Sequence, residues 1–135
     1  MAEITVQAQI EHLDQVIAFV DTQLEQMDCP MKVQMQIDVA VEEIFVNIAN
    51  YAYTPGIGDA TISIQAAEGD QGVVIVFRDS GIPFDPTAKP DPDVSLSAEE
   101  RKIGGLGIYM VKKTMDTMKY RYEDGKNILT LTKKL

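Results

Sequence analysis

Three short groups carry the polar chemistry of this sequence. Glu43 and Asn47 stand four apart in DVAVEEIFVNIANYAY, Asp79 and Gly81 fall in FRDSGIPFDP, and Gly104, Gly105, Leu106 and Gly107 fall in IGGLGIYMV. On a helix the steps from 43 to 47 and from 47 to 50 are i,i+4 and i,i+3, so Glu43, Asn47 and Asn50 line one stripe. Their neighbours Val41, Ile44, Phe45, Val46, Ile48 and Ala49 leave almost no other polar face. Turned inward without a partner, a carboxylate costs several kcal/mol and an amide roughly 1–3. A bound polar ligand compensates that cost. So does solvent at a helix edge, which is the commoner situation for a Glu/Asn pair taken alone.

The chemistry open to the three groups is complementary. Asp79, at the end of an apolar strand, is an acceptor suited to the exocyclic amine of adenine, and Gly81 lets a base approach the backbone. Gly105 and Gly107 leave backbone N–H groups free at the start of a helix, where the macrodipole favours phosphate. Asn47 offers an amide oxygen to Mg²⁺, a hard cation that takes phosphate oxygens and waters as its other ligands. Glu43, one turn earlier, then lies near a γ-phosphate and can accept a proton from an attacking hydroxyl. Asp-x-Gly alone is an ordinary turn, and Gly-x-Gly alone is a tight helix entry. In this order, with a long irregular segment between the last two, they fit a nucleotide. With neither a Walker A sequence nor Gly-x-Gly-x-x-Gly present, the pattern is not that of a P-loop or a Rossmann site.

The elements that must position these residues follow from periodicity. Residues 3–9 alternate as a strand, and Ile10, Leu13, Ile17, Val20, Leu24 and Met27 make an apolar helical stripe. Pro30 suits the first turn of a central helix over 31–51. Strands are predicted over 60–67 and 73–78, the second as a buried strand, with the turn composition of EGDQG between them. Residues 79–107 are breaker-rich, with a possible short turn at 97–102, and about 86–103 reads as a mobile lid, since irregular chain of this length in a compact domain is usually functional or disordered. A third helix over 108–117 and strands over 118–123 and 127–132 complete the order. Gly125, in Asp124-Gly125-Lys126, supplies positive φ to the last hairpin. The arrangement is an α+β two-layer sandwich, with helices on one face of a mixed, mostly antiparallel sheet.

Composition narrows the function further. At 135 residues the chain holds one domain, 1–135, and its 45% hydrophobic content is that of a soluble globular protein. Twelve Lys plus Arg against 21 Asp plus Glu give a formal charge of −9, which argues against nucleic-acid binding. No secretory signal opens the sequence and no apolar run approaches the ~18 residues of a membrane span, so a cytoplasmic location is expected. One cysteine and one histidine leave neither a disulfide framework nor a Cys/His metal cluster, and next to no room for Ser–His or Cys–His nucleophilic schemes.

The order VEEIFVNIANYAY, FRDSGIPFDP, IGGLGIYMVKKTMD resembles the N, G1 and G2 boxes of the Bergerat-fold (GHKL) ATP-binding superfamily of gyrase, the mismatch-repair ATPases and the sensor histidine kinases. Within it the chain is most similar to the small anti-sigma-factor serine kinases, over nearly its whole length. The resemblance implies Glu43 as general base, Asn47 as Mg²⁺ ligand, Asp79 and Gly81 as adenine contacts, and the Gly104 to Gly107 segment as the phosphate contact under the lid. It further implies ATP and Mg²⁺ as cofactors and a homodimer that phosphorylates a serine or threonine on a small anti-anti-sigma protein and sequesters a sigma factor. A nucleotide-gated binding module without phosphoryl transfer is the alternative. The sensor-kinase branch would need a phosphoacceptor histidine, which this sequence lacks. Four residues depart from the family or extend it: Tyr51 stands where a histidine is frequent, Asn127 stands near the place of a threonine that contacts adenine through water and is expected to substitute for it, and Arg101 and Lys102 could reach a γ-phosphate when the lid closes.

Overall fold

The computed structural model describes residues 2–53, 56–67, 69, 72–88 and 105–135. Strand β1 (Ala2–Gln7) leads through a short 3-10 turn (Ile10–His12) into helices α1 (Leu13–Gln26) and α2 (Met31–Tyr51). Strands β2 (Asp59–Ala66) and β3 (Gly72–Asp79) follow, then a 3-10 turn (Pro86–Ala88), helix α3 (Gly105–Thr114), and strands β4 (Thr117–Glu123) and β5 (Lys126–Lys134). None of the described helices is long and apolar enough to cross a membrane.

The predicted periodicities produce the two layers. On α1, Val16, Val20 and Leu24 recur every fourth residue and are fully buried. On α2, Ile37, Val41, Ile44, Phe45 and Ile48 form the matching stripe, and Pro30 caps the helix one residue earlier than expected for it. Both stripes rest on Ile62, Ile64, Ile75, Phe77, Leu129 and Leu131, which share one face of the sheet. Such side chains contribute roughly 1.5–3 kcal/mol each on burial. Between the two helices Asp21 and Asp38 meet, each with an Oδ1 that is buried and has no hydrogen-bond partner. Burial first, then the hydrogen bond and charge of Asp21, push Asp38 up from 3.8 to about 7. Burial and the charge of Asp38 also push up the Cys29 thiol.

The sheet order is β1-β2-β3-β5-β4, and every pair in it is antiparallel. The expectation of a mixed sheet is therefore corrected. The last hairpin inserts β5 between β3 and β4, so β4, which runs the same way as β3, is never bonded to it. The hairpin turn has Asp124 at φ 54° and Gly125 at φ 76°. Two positive φ values in a two-residue loop match the right-handed twist of the strands it joins. Strand β3 also departs from the continuous buried run expected of it: Val73, Ile75, Phe77 and Asp79 are buried, while Val74, Val76 and Arg78 face the other side. On that side Arg78 donates to Ser63 Oγ at 2.9 Å, and Ser63 donates to Glu3 at 3.1 Å.

Candidate nucleotide site

A cleft opens between the second half of α2 and the sheet ends that carry Asp79 and Asn127. Asn47, Ile48, Tyr51 and Ala52 form one wall, with Phe77, Asp79, Tyr120, Asn127 and Leu129 opposite and Ile82, Phe84 and Pro86 across the mouth. The cleft encloses about 70 Å³, and about 530 Å³ when the space at its open mouth is counted. The lining is mostly apolar, with a few polar groups converging at one end.

That end is built by strand register. Asp79 on β3 and Asn127 on β5 are direct cross-strand partners on the helix-facing side, each 7% exposed. Gly81 N–H and Asn127 Nδ2 both donate to Asp79 Oδ1 at 2.9 Å. Among the described residues Oδ2 takes no donor, so it is the oxygen left to accept from a ligand. Asn127 Nδ2 also donates to the Ile82 carbonyl at 2.9 Å, and its Oδ1 accepts from Phe84 N–H at 3.1 Å and from the Tyr120 hydroxyl. Burial raises the Tyr120 phenol above its ordinary value, which keeps it a donor. Gly81 has a packing reason that its expected role did not include. A Cβ there would lie 2.3 Å from the Ala52 carbonyl oxygen, and Ile82 N–H donates to that same oxygen at 2.9 Å. The turn after β3 is thus docked on the end of α2.

Tyr53 fastens the same corner. Its hydroxyl donates to the Asp59 carbonyl at 2.6 Å and accepts from Ser80 N–H at 2.6 Å. Burial is the main reason its pKa is raised. Tyr53, Tyr120, Ile82 and Phe84 were not singled out from the sequence. For Tyr120 the signal was its place in the alternation of β4, whereas the other three act through loop contacts that no periodicity records.

The other end of the cleft is built by helix geometry. Glu43 and Asn47 are half-buried on α2, one turn apart, with Asn47 in the cleft wall. Asn50 is exposed and off the cleft, so the stripe continues through Ile48 and Tyr51, not through Asn50. Helix α3 begins at Gly105, earlier than expected, which puts Gly105, Leu106 and Gly107 in its first turn instead of in an entry loop. First-turn N–H groups have no intrahelical acceptor, so the change keeps the expected anion chemistry. A Cβ on Gly107 would fall 2.0 Å from Glu43 Oε2, so the carboxylate lies directly against the backbone of that turn. The helix ends at Thr114, short of the expected 117, because β4 starts at Thr117.

The structure thus sets Glu43, one helical turn from Asn47, against Gly107, and brings together Asp79, Gly81 and Asn127; of these, Asn47, Asp79 and Asn127 line the cleft. Tyr51 lies at the mouth, 49% exposed. Arg101, Lys102, Gly104 and the turn at 97–102 lie outside the described residues, as does the expected lid apart from 86–88, where Pro86 is buried.

The family described as the histidine kinase-like ATPase domain matches residues 6–133. The chain belongs to that family. Among curated proteins it is similar to the serine/threonine-protein kinase BtrW of Bordetella bronchiseptica, 29% identical over 101 residues that cover 75% of this chain and 70% of that protein. It is also similar to the serine-protein kinase RsbW of Listeria monocytogenes, 27% identical over 97 residues that cover 69% of this chain and 61% of that protein. The match thus spans about three-fifths of the Listeria protein's length. Among solved structures, a chain of the SiaB–SiaC complex of Pseudomonas aeruginosa superposes with a TM-score of 0.61 at 16% identity, covering 98% of this chain and 89% of that one. That likeness establishes the fold.

Proposed function

We propose that the protein is an ATP-dependent serine/threonine protein kinase of the anti-sigma-factor type, acting on a small anti-anti-sigma protein. The observation that carries this reading is the contact of Glu43 with the first turn of α3, one helical turn from Asn47, which shares the cleft lining with Asp79. A base held at Asp79 and a phosphate chain running along α2 toward Gly107 bring the terminal phosphate to Glu43. The kinase names of BtrW and RsbW and the family match support the same reading.

In the reaction the substrate hydroxyl oxygen bonds the γ-phosphorus as the bond to the ADP oxygen breaks, and Glu43 takes the hydroxyl proton. The Asn47 amide is a single hard-oxygen donor in the cleft wall, a fit for Mg²⁺, which is commonly held by few protein ligands together with phosphates and water. Bound there, the ion supplies neutralisation of phosphate charge. Backbone N–H groups of Gly105 to Gly107 hold phosphate oxygens, with Arg101 added from the lid. The partners belonging to this reading are the anti-anti-sigma protein, a sigma factor and a second copy of the chain, all in the cytoplasm.

Calorimetric titration of ATP and ADP, with Mg²⁺ and with chelator, tests the site. Mg²⁺-dependent binding that weakens about tenfold or more in Asn47→Ala is expected, and no binding by the wild type under either condition removes the reading. Labelled ATP then separates a kinase from a nucleotide-gated binding module, for which partner affinity follows nucleotide while no phosphoprotein forms.

A further inference from the structure

We propose that Asn127 does not touch the base but is a positioning residue, which holds the Asp79 carboxylate in the orientation that selects adenine. The inference rests on the nucleotide-site reading and replaces the water-mediated adenine contact expected of Asn127. An asparagine side chain has two N–H donors and two acceptor lone pairs. At Asn127 all four are used. Nδ2 gives one hydrogen to Asp79 Oδ1 and one to the Ile82 carbonyl, both at 2.9 Å, while Oδ1 takes Phe84 N–H at 3.1 Å and the Tyr120 hydroxyl. The amide orientation is forced: turned over, its oxygen would face a carboxylate and a carbonyl. With a side chain 7% exposed and saturated by protein, nothing of Asn127 remains to bind a ligand.

What the amide does instead is join three elements. It ties β5 to the carboxylate at the end of β3 and to the chain leaving β3 at Ile82 and Phe84. With Gly81 N–H it confines both donors to Asp79 Oδ1, which turns Oδ2 toward the cleft as a pure acceptor. A fixed acceptor favours a base with an exocyclic amine, and disfavours hypoxanthine, which presents a carbonyl oxygen there, because two acceptors would face each other. Selection of the base is therefore set by a residue one strand away from the carboxylate that reads it.

The test compares ADP and inosine diphosphate on the wild type, Asn127→Asp and Asn127→Thr by calorimetry, with thermal unfolding recorded for each. Asn127→Asp keeps the shape but sets an acceptor against Asp79, and Asn127→Thr keeps one hydroxyl donor without the reach to Ile82 and Phe84. The wild type is expected to prefer ADP, with that preference falling about fivefold or more in Asn127→Asp and by a smaller factor in Asn127→Thr. If Asn127→Asp does not fold, the threonine variant carries the comparison alone. A preference unchanged in the folded variants, with both nucleotides weakened equally or not at all, overturns the positioning role while leaving the site intact. A wild type that binds ADP but does not prefer it overturns the selection argument. Absence of any nucleotide binding by the wild type overturns the site and this inference with it.

Discussion

The two ends of the cleft are held by different means. At the base end, Asp79 and Asn127 are buried on adjacent strands and braced by hydrogen bonds that reach β4, β5 and the turn after β3. At the phosphate end, Glu43 and Asn47 are half-buried on a single helix, and what meets Glu43 is the backbone of the first turn of α3. The base end is pre-arranged by tertiary register and has few ways to relax. The phosphate end depends on local helix geometry and on how two helices approach each other. On the proposed reading, recognition and chemistry should be separable by mutation.

The sharpest separation is expected from Glu43→Gln. Removing the proton acceptor while keeping the side-chain shape should lower phosphoryl transfer about 10²–10⁴-fold, with ADP affinity changed by less than a few-fold in the same titration. Comparable losses of both would erase the distinction between the ends. Gly107→Ala attacks the phosphate end from the other side, since its methyl occupies the place of Glu43 Oε2 and the carboxylate must swing away. Transfer should fall about tenfold or more while adenosine, which lacks phosphates, binds as before.

At the base end, Gly81→Ala sets a methyl against the Ala52 carbonyl, a backbone atom that cannot yield as a side chain can. Unfolding in denaturant should show a loss of about 1–3 kcal/mol, larger than for Gly107→Ala. The smallest effect lies outside the cleft. Asp38 has a folded pKa of about 7 against an ordinary 3.8. Between those values the folded protein holds a proton that the unfolded chain has released, so stability falls as pH rises through the window. Asp38→Asn should flatten that slope and stabilise the protein above pH 7 by about 1 kcal/mol or less, given solvent screening, with nucleotide affinity unchanged.

The same contrast decides what could be read from the sequence. Helix α2 over 31–51 and the step from Glu43 to Asn47 were legible because both follow from spacing within one segment. The two-residue turn at Asp124 and Gly125 was legible for the same local reason. The pairing of Asp79 with Asn127 was not, since residues 48 apart in sequence meet only through strand register. Nor was the wholly antiparallel sheet, which depends on where the last hairpin inserts. The early start of α3 was hidden by its glycines, each of which costs about 1 kcal/mol in a helix interior; at the first turn that penalty is outweighed by packing of α3 on α2.

Gly81 and Gly107 share a property that changes what they signify. Each is small because α2 occupies the space a side chain would need, Gly81 at Ala52 and Gly107 at Glu43. At Gly81 the obstacle is backbone, so a chain of this shape would require that glycine even if it had never met a nucleotide, whereas at Gly107 the obstacle is the Glu43 side chain alone. Gly81 marks the architecture, and a relative that had lost its activity could keep it unchanged, while loss of Glu43 would free the place beside Gly107 for a side chain. On the proposed reading, the residues that distinguish a working enzyme from an inert copy are Glu43 and Asn47, both half-buried on α2.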